Sequence, residues 1–306
     1  MSRTSNRGSS RTQKFGNRDT AKKQSVVVNY LTAYLRVMSK QPFHLSYVDA
    51  FAGCGARIDA AESESQQPDL MFVAPASQPK VGTALEALRL KPGFHRCVFG
   101  DLNRRHLAAL EDRIAELRTS GETLPVTRLL RADANELVQQ ECEWLDGHRM
   151  RRAVMFLDPY GMQVEWRTLQ TIAQCPKIDL WLLLPTGIAL NRLLPWKRDQ
   201  HPRWAERMDA FYGSADWRDA FLTTDRDMLG AERQSRSSDL NGIVRFTMER
   251  LGTLFGGGLH PHALPLRSGH HQSYHLVFAS SSKDERVWKI AHDIAGHLMR
   301  KAQAGS

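Results

Sequence analysis

The stretch Val48-Asp-Ala-Phe-Ala-Gly-Cys-Gly55 decides the fold class that the sequence predicts. It continues a β-prone run that begins at Leu45 and ends in two glycines one residue apart. At the carboxyl end of a parallel strand, glycines let the backbone approach a ligand, and the Asp49 carboxylate can accept hydrogen bonds from it. A plain tight turn explains the same glycines equally well. Ile58 stands where a dinucleotide fingerprint needs a third glycine, and no G-K-[ST] follows, so neither NAD nor ATP is favoured.

Strand and helix patterns alternate on both sides of this turn. The alternation predicts an α/β fold with a doubly wound parallel sheet and helices on both faces. Val287 and Ile290 are among the apolar residues expected to pack the last helix against the sheet. The predicted strands cover 45–51, 95–100, 126–131, 153–157, 178–184, 263–266 and 273–279, and the predicted helices cover 20–41, 82–90, 104–117, 135–144, 166–174 and 284–301.

Three segments depart from this alternation. Residues 1–19 are polar and basic and are expected to form a disordered tail. Residues 58–79 read as a long polar loop, and 186–258 as a helical insertion or subdomain. The sheet domain is therefore predicted over 20–185 and 259–306. Its basic tail could be an electrostatic arm for nucleic acid or simply a solvated chain end.

Composition narrows the class of protein. The chain has 306 residues, 42% of them apolar, and a formal net charge of +9. No uninterrupted run approaches the ~18 apolar residues of a membrane span. The polar N-terminus has no apolar h-region, so no secretory signal is expected. The four cysteines form no C-x-x-C pair, which argues against a zinc knuckle or a disulfide framework. We therefore expect a cytoplasmic protein with no membrane partner.

Acidic residues follow four successive predicted strands. They are Asp49, Asp101, Asp133 and Asp158. Ligands of open α/β sheets bind at the carboxyl ends of the strands, so this register predicts a ligand site there. Each acid has another explanation: Asp101 or Asp133 could cap the next helix, and Asp-Pro commonly starts a turn.

Two of these strand ends resemble motifs of class I S-adenosylmethionine (SAM) methyltransferases. Asp49-Ala-Phe-Ala-Gly-Cys-Gly55 resembles their F-x-G-x-G motif I. Asp158-Pro-Tyr-Gly161 resembles motif IV, and it is closer to the D-P-F-G of tRNA guanine-N2 dimethyltransferases than to D-P-P-Y because it lacks the second proline. The resemblance implies a Rossmann-like class I methyltransferase sheet of seven strands with the last strand antiparallel.

The whole-chain pattern, over about residues 14–300, looks most like the three-Cys-motif partner (TcmP) family. This resemblance implies a bacterial protein that is often encoded beside a three-cysteine radical-SAM-like protein. The segments that carry it are Thr20-Ala-Lys-Lys23 before the first helix, Tyr47-Val-Asp-Ala-Phe-Ala-Gly53, Asp158-Pro-Tyr-Gly161 with Trp166, Asn191-Arg192, Phe211-Tyr-Gly213 with Trp217, and Tyr274-His-Leu-Val-Phe-Ala-Ser280.

These resemblances imply a SAM-dependent N-methyltransferase acting on an exocyclic amine of a nucleic-acid base, RNA rather than DNA. The alternative is an auxiliary, non-catalytic partner of the radical-SAM-like protein. The expected catalytic residues are Asp158, Pro159 and Tyr160. The expected SAM-binding residues are Asp49, Phe51, Gly53, Gly55, Asp101, Asp133 and Asn135, and the expected substrate-binding residues are Lys22, Lys23 and Arg192.

A histidine-rich stretch, from His260 to His275, does not favour a metal site. Its spacing fits no compact tetrahedral site, and no cysteine or acid is nearby. A turn-facing or phosphate-facing cluster is the prediction, and no metal is expected.

Overall fold

The computed structural model describes residues 17–55, 82–187, 202–226, 232–268 and 271–304. The predicted 58–79 loop, Arg192 and residues 1–16 of the basic tail lie outside the described residues. Within these ranges, no helix is long and apolar enough to cross a membrane.

A seven-stranded mixed sheet forms the centre of the protein, in the order β3-β2-β1-β4-β5-β9-β8. The strands are β1 (His44–Asp49), β2 (Arg96–Gly100), β3 (Val126–Leu130), β4 (Arg151–Leu157), β5 (Ile178–Leu184), β6 (Leu222–Arg226), β7 (Glu232–Arg236), β8 (Leu264–Ser268) and β9 (His271–Ser280). β1 to β5 pair in parallel, β9 runs antiparallel to β5, and β8 pairs with β9. This order confirms the predicted Rossmann-like class I methyltransferase sheet of seven strands. The antiparallel strand is β9, the last strand in the chain.

Helices cover both faces of the sheet. They are α1 (Asn17–Met38), α2 (Thr83–Arg89), α3 (Arg104–Thr119), α4 (Ala134–Asp146), α5 (Trp166–Gln174), α6 (Pro202–Tyr212), α7 (Trp217–Phe221), α8 (Leu240–Phe255) and α9 (Glu285–Ala304). One core cluster packs α1, α2, α3 and α9 around side chains such as Tyr47 and Trp181, and the other packs α4 to α8 around side chains such as Val48 and Leu180. Neighbouring strand residues thus face opposite cores, as the period of two requires.

Two segments differ from the sequence prediction. Helix α1 begins at Asn17, three residues before the predicted start at residue 20, and it contains Lys22 and Lys23. The segment after β5 contains a two-stranded antiparallel ribbon, β6–β7, as well as helices. Its helices contribute Tyr212, Trp217 and Phe221 to the same core as α4 and α5. Trp204 of α6, by contrast, is 41% exposed.

The prediction for the last helix was partly wrong. Val287 and Ile290 are 48% and 53% exposed. The residues of α9 that are buried include Ala291, Ala295 and Gly296. A Cβ atom at Gly296 would lie 2.7 Å from His260 Nε2. Small side chains therefore allow a close approach that larger apolar side chains would prevent.

Candidate functional site

The candidate site lies where the winding of the sheet reverses. β1 lies between β2 and β4, so the chain builds the sheet outward from β1 in both directions. Ligands of doubly wound folds bind in the crevice at the carboxyl ends of such central strands. Asp49 is the last residue of β1 and pairs in register with Phe156 of β4, two residues before Asp158. The fold therefore brings Asp49 and Asp158 to the same crevice.

Asp49 is a buried carboxyl, with a residue exposure of 2%. Its Oδ1 accepts a hydrogen bond from the Phe51 backbone N–H at 3.1 Å, and Tyr47 Oη donates to its Oδ2 at 3.4 Å. Burial, and next the negative charge of Asp158, raise the pKa of Asp49 from 3.8 to about 7. A cation bound beside Asp49 would therefore favour its ionised form.

The two glycines of the turn have different tasks. Gly53 has a φ of +60°, and a Cβ atom built on it would meet no other described residue within 4 Å. Gly55 has a φ of +66°, and its Cβ would lie 2.8 Å from Leu110 Cδ1. Both backbone conformations favour glycine. Gly53 thus borders open space beside the carboxylates, whereas Gly55 lets the turn pack against α3.

Asp101 fixes the glycine turn to the end of β2. Its Oδ2 accepts a hydrogen bond from Gly53 N–H at 3.1 Å and lies 3.0 Å from His106 Nδ1. Its Oδ1 accepts from Asn103 N–H at 2.7 Å. Helix α3 is capped by Asn103, which accepts from Arg105 N–H at 2.9 Å. The helix-cap alternative therefore does not hold for Asp101, whose carboxylate faces the glycine turn.

Asp133 has the capping role that the sequence left open. Its Oδ1 accepts from the backbone N–H of Asn135 at 2.8 Å at the start of α4. The Asn135 side chain donates to the Gln163 carbonyl at 3.0 Å and accepts from Thr168 Oγ1 at 2.7 Å. Asn135 thus ties α4 to the segment that follows Asp158. A contact of this pair with an adenine amine stays a prediction.

Motif IV contains both buried and solvent-exposed side chains. The Asp158 side chain is 27% exposed, and its Oδ2 pairs with Nζ of Lys23, whose side chain is 15% exposed. Pro159 is buried, whereas Tyr160 is 69% exposed. The Tyr160 backbone N–H donates to Gln163 Oε1 at 3.0 Å. The segment therefore presents a carboxylate beside an exposed aromatic ring.

The structure adds one residue to the site that the sequence analysis did not assign. Tyr274 of β9 is half-buried, and burial followed by the charge of Asp158 raises its pKa. It lies in a segment quoted for the family resemblance, but only the antiparallel pairing of β9 places it near Asp158. Of the expected substrate-binding residues, Lys22 and Lys23 lie on α1, and Arg192 lies outside the described residues.

Two histidines of the histidine-rich stretch, His260 and His262, face a different part of the molecule. His260 and His262 line a cavity of about 680 Å³ between α8 and α9, with Arg245 and Arg300. The carboxylates described above do not line it. Among the described residues, no group of three or more His, Cys, Asp or Glu side chains is placed to hold a metal ion.

No family model and no curated protein matches the chain. Among solved structures, the chain is similar to a Legionella pneumophila protein of family model DUF519, with a TM-score of 0.40 and 12% identity over 88% of this chain and 98% of that one. The chain is also similar to a conserved hypothetical protein of Streptococcus pyogenes, with a TM-score of 0.29 and 15% identity over 67% of this chain and 91% of that one. A further similar structure is the glycopeptide N-methyltransferase MtfA complexed with SAM, with a TM-score of 0.32 and 11% identity over 81% of this chain and 86% of that one. Scores this low add nothing to the fold assignment, which rests on the strand order, and the TcmP resemblance stays a prediction.

Proposed function

We propose that the protein is a SAM-dependent methyltransferase that modifies an exocyclic amine of a nucleic-acid base. The observation that carries this proposal is the convergence of Asp49, Asp101 and Asp158 with Gly53 at the reversal point of the sheet. Two of these carboxylates border the glycine turn, and the third follows the adjacent strand β4. This arrangement provides separate places for a cofactor and for a second substrate.

The residues present fit SAM. The described residues leave space beside Gly53 in which a ligand could approach the backbone, and a side chain at this position would occupy that space. The Asp49 carboxyl would hold the methionine amino group, whose positive charge offsets the cost of ionising a buried acid. Asp101 would hold the ribose hydroxyls while it keeps its bond to Gly53 N–H. When bound, SAM supplies an electrophilic methyl group on a cationic sulfur.

The chain's own task is then to orient and activate the accepting nitrogen. An exocyclic amine conjugated to a base ring is a poor nucleophile because its lone pair is delocalised into the ring. Hydrogen bonds from its N–H groups to the Asp158 carboxylate and the Pro159 carbonyl would return electron density to the nitrogen. Holding the amine in line and excluding water would supply the rest of the rate enhancement.

A nucleic acid is the proposed substrate because of the surface around Tyr160. Tyr160 is 69% exposed, and its ring can stack on an unpaired base. Exposed basic residues at the same edge of the sheet, Arg104 and Arg105 at the start of α3 and Arg131 after β3, can contact phosphates. The net charge of +9 supports the same partner class. We favour RNA because its single-stranded regions expose their bases.

The test is transfer of isotope-labelled methyl groups from SAM to total RNA and, in parallel, to total DNA. Asp158→Ala removes the acceptor and should lower the rate by about a hundredfold or more, while SAM binding measured by calorimetry is kept. Asp158→Asn is the matched control, since it keeps an acceptor oxygen and should retain more activity. An undiminished rate in Asp158→Ala would refute the catalytic role of Asp158. No methyl transfer by the wild-type protein would favour the auxiliary role beside a radical-SAM-like protein.

A further inference from the structure

We propose that Lys23 is a positioning residue that holds the Asp158 carboxylate in the orientation that the target amine requires. This inference rests on the proposed function, because it assigns a task to a residue of the same site. The juxtaposition that carries it is the ion pair between Lys23 Nζ on the first helix and Asp158 Oδ2 after the fourth strand.

The ion pair is half-buried on the α1 face of the sheet. The two side chains are 15% and 27% exposed, so bulk solvent screens their attraction only partly. Lys23 Nζ also lies 5.9 Å from the centre of the Phe156 ring. Phe156 precedes Asp158 by two residues and packs in the core that α1 shares. The Lys23 side chain thus runs along the core toward the motif IV carboxylate.

The backbone of Lys23 is held by the docking of α1. Val26 and Val27, on the next turn, are buried at 2% and 0% exposure. Tyr30 Oη donates a hydrogen bond to Asp179 Oδ2 on β5 at 2.7 Å. On the other side of Lys23, the Asp19 carboxylate accepts from the backbone N–H of Arg267 on β8. A side chain on so well anchored a helix can fix its partner's orientation.

The ion pair has two consequences for Asp158. Lys23 contacts Oδ2, which leaves Oδ1 as the oxygen that would accept from the target amine. Asp49 is a second acid close enough to interact electrostatically with Asp158, and the ammonium of Lys23 reduces the repulsion between the two carboxylates. The titratable groups of the described residues that interact with Asp158 are Lys23 on α1, Tyr47 and Asp49 on β1, Tyr160 after β4 and Tyr274 on β9.

Two other roles for Lys23 predict different results. A purely structural ion pair would dock α1, so its loss would lower stability without a selective effect on kcat. An ammonium that occupies the place of the substrate amine would compete with it, so its loss would raise the rate. A positioning role predicts a lower kcat at unchanged SAM affinity.

The experiment compares Lys23→Met and Lys23→Arg with the wild-type protein in steady-state methyl transfer to RNA. Lys40→Met is the matched control, because Lys40 is exposed and follows α1 at the opposite edge of the sheet. We expect Lys23→Met to lower kcat by about tenfold to a hundredfold, with KM for RNA, SAM affinity and Tm near the wild-type values. Lys23→Arg should recover a large part of kcat, and Lys40→Met should match the wild type.

The outcomes separate this inference from the proposed function. Wild-type kcat in Lys23→Met, or a loss explained by a fall in Tm, overturns the positioning role and leaves the methyltransferase proposal standing. A raised kcat overturns it in favour of competition with the substrate. A wild-type protein that binds SAM and transfers no methyl group to any RNA or DNA overturns the proposed function, and the positioning role falls with it.

Discussion

The buried carboxyl of Asp49 should make folding stability depend on pH in an unusual direction. Its pKa is about 7 in the folded protein, against an ordinary value of 3.8. Between these values the folded state keeps a proton that the unfolded state has released, so stability falls as pH rises. The contribution is fully present below about pH 4 and is lost as pH rises through about 7. At 1.36 kcal/mol per pKa unit, the loss is roughly 4 kcal/mol.

Asp49→Asn is the substitution that isolates this contribution. The amide oxygen can still accept from the Phe51 N–H, but the side chain no longer titrates. Urea unfolding of the SAM-free wild type and variant over about pH 4 to 8 gives the free energy of unfolding of each. Subtracting one free energy of unfolding from the other removes the pH-dependent contributions of the groups that the two proteins share. We expect the stability of the variant relative to the wild type to rise with pH by up to roughly 4 kcal/mol.

The control is Asp112→Asn, which changes an exposed carboxyl on α3. Its stability relative to the wild type should change little with pH, since water screens the interactions of an exposed side chain. An Asp49→Asn difference that stays constant with pH would refute the reasoning, because it would mean that Asp49 titrates normally in the folded protein. Adding SAM should reduce the pH dependence if its amino group binds ionised Asp49.

Three further substitutions test other parts of the molecule. Gly53→Val puts a β-branched residue at a φ of +60°; SAM affinity by calorimetry should fall about tenfold or more, and unchanged affinity would contradict the assigned turn. Tyr160→Ala should weaken single-stranded RNA binding by about 1–3 kcal/mol in a filter-binding assay and leave SAM affinity unchanged; full RNA affinity would exclude stacking. Glu141→Ala removes the carboxylate that pairs with the buried Arg96, whose Nη2 lies 2.9 Å from Glu141 Oε1. The free energy of unfolding in urea should therefore fall by about 3–5 kcal/mol, and a fall near zero would contradict the importance of this pair.

The sheet and the acids at its edge could be predicted because buried parallel strands have a strong pattern. A run such as Ile178–Leu184 is apolar on both faces, and helical spacing follows each run. The ribbon β6–β7 could not be predicted in the same way. Its strands, Leu222–Arg226 and Glu232–Arg236, are mostly polar and belong to a separate small sheet, so no alternating apolar pattern marks them.

The roles of single acids depend on contacts that local sequence does not show. Asp101-Leu-Asn103 and Asp133-Ala-Asn135 have the same D-x-N pattern. Asn103 nevertheless caps α3, whereas Asp133 caps α4, because the two helices begin at different positions in the pattern. The Lys23–Asp158 pair joins residues 135 positions apart, so only the docking of α1 on the sheet reveals it. The sequence therefore predicted which acids lie at the carboxyl ends of the strands. It did not predict which groups each acid contacts there.

The most direct test of the central claim is a calorimetric titration of SAM into the purified protein at a pH above 7, where Asp49 ionises readily. Asp101→Ala is titrated alongside, with Asp112→Ala as the matched control on the exposed side of α3. We predict micromolar binding of one SAM per chain, weakened by Asp101→Ala and unchanged by Asp112→Ala. No heat and no thermal shift at millimolar SAM would contradict the account, because the crevice at the ends of β1, β2 and β4 would then not be a SAM site.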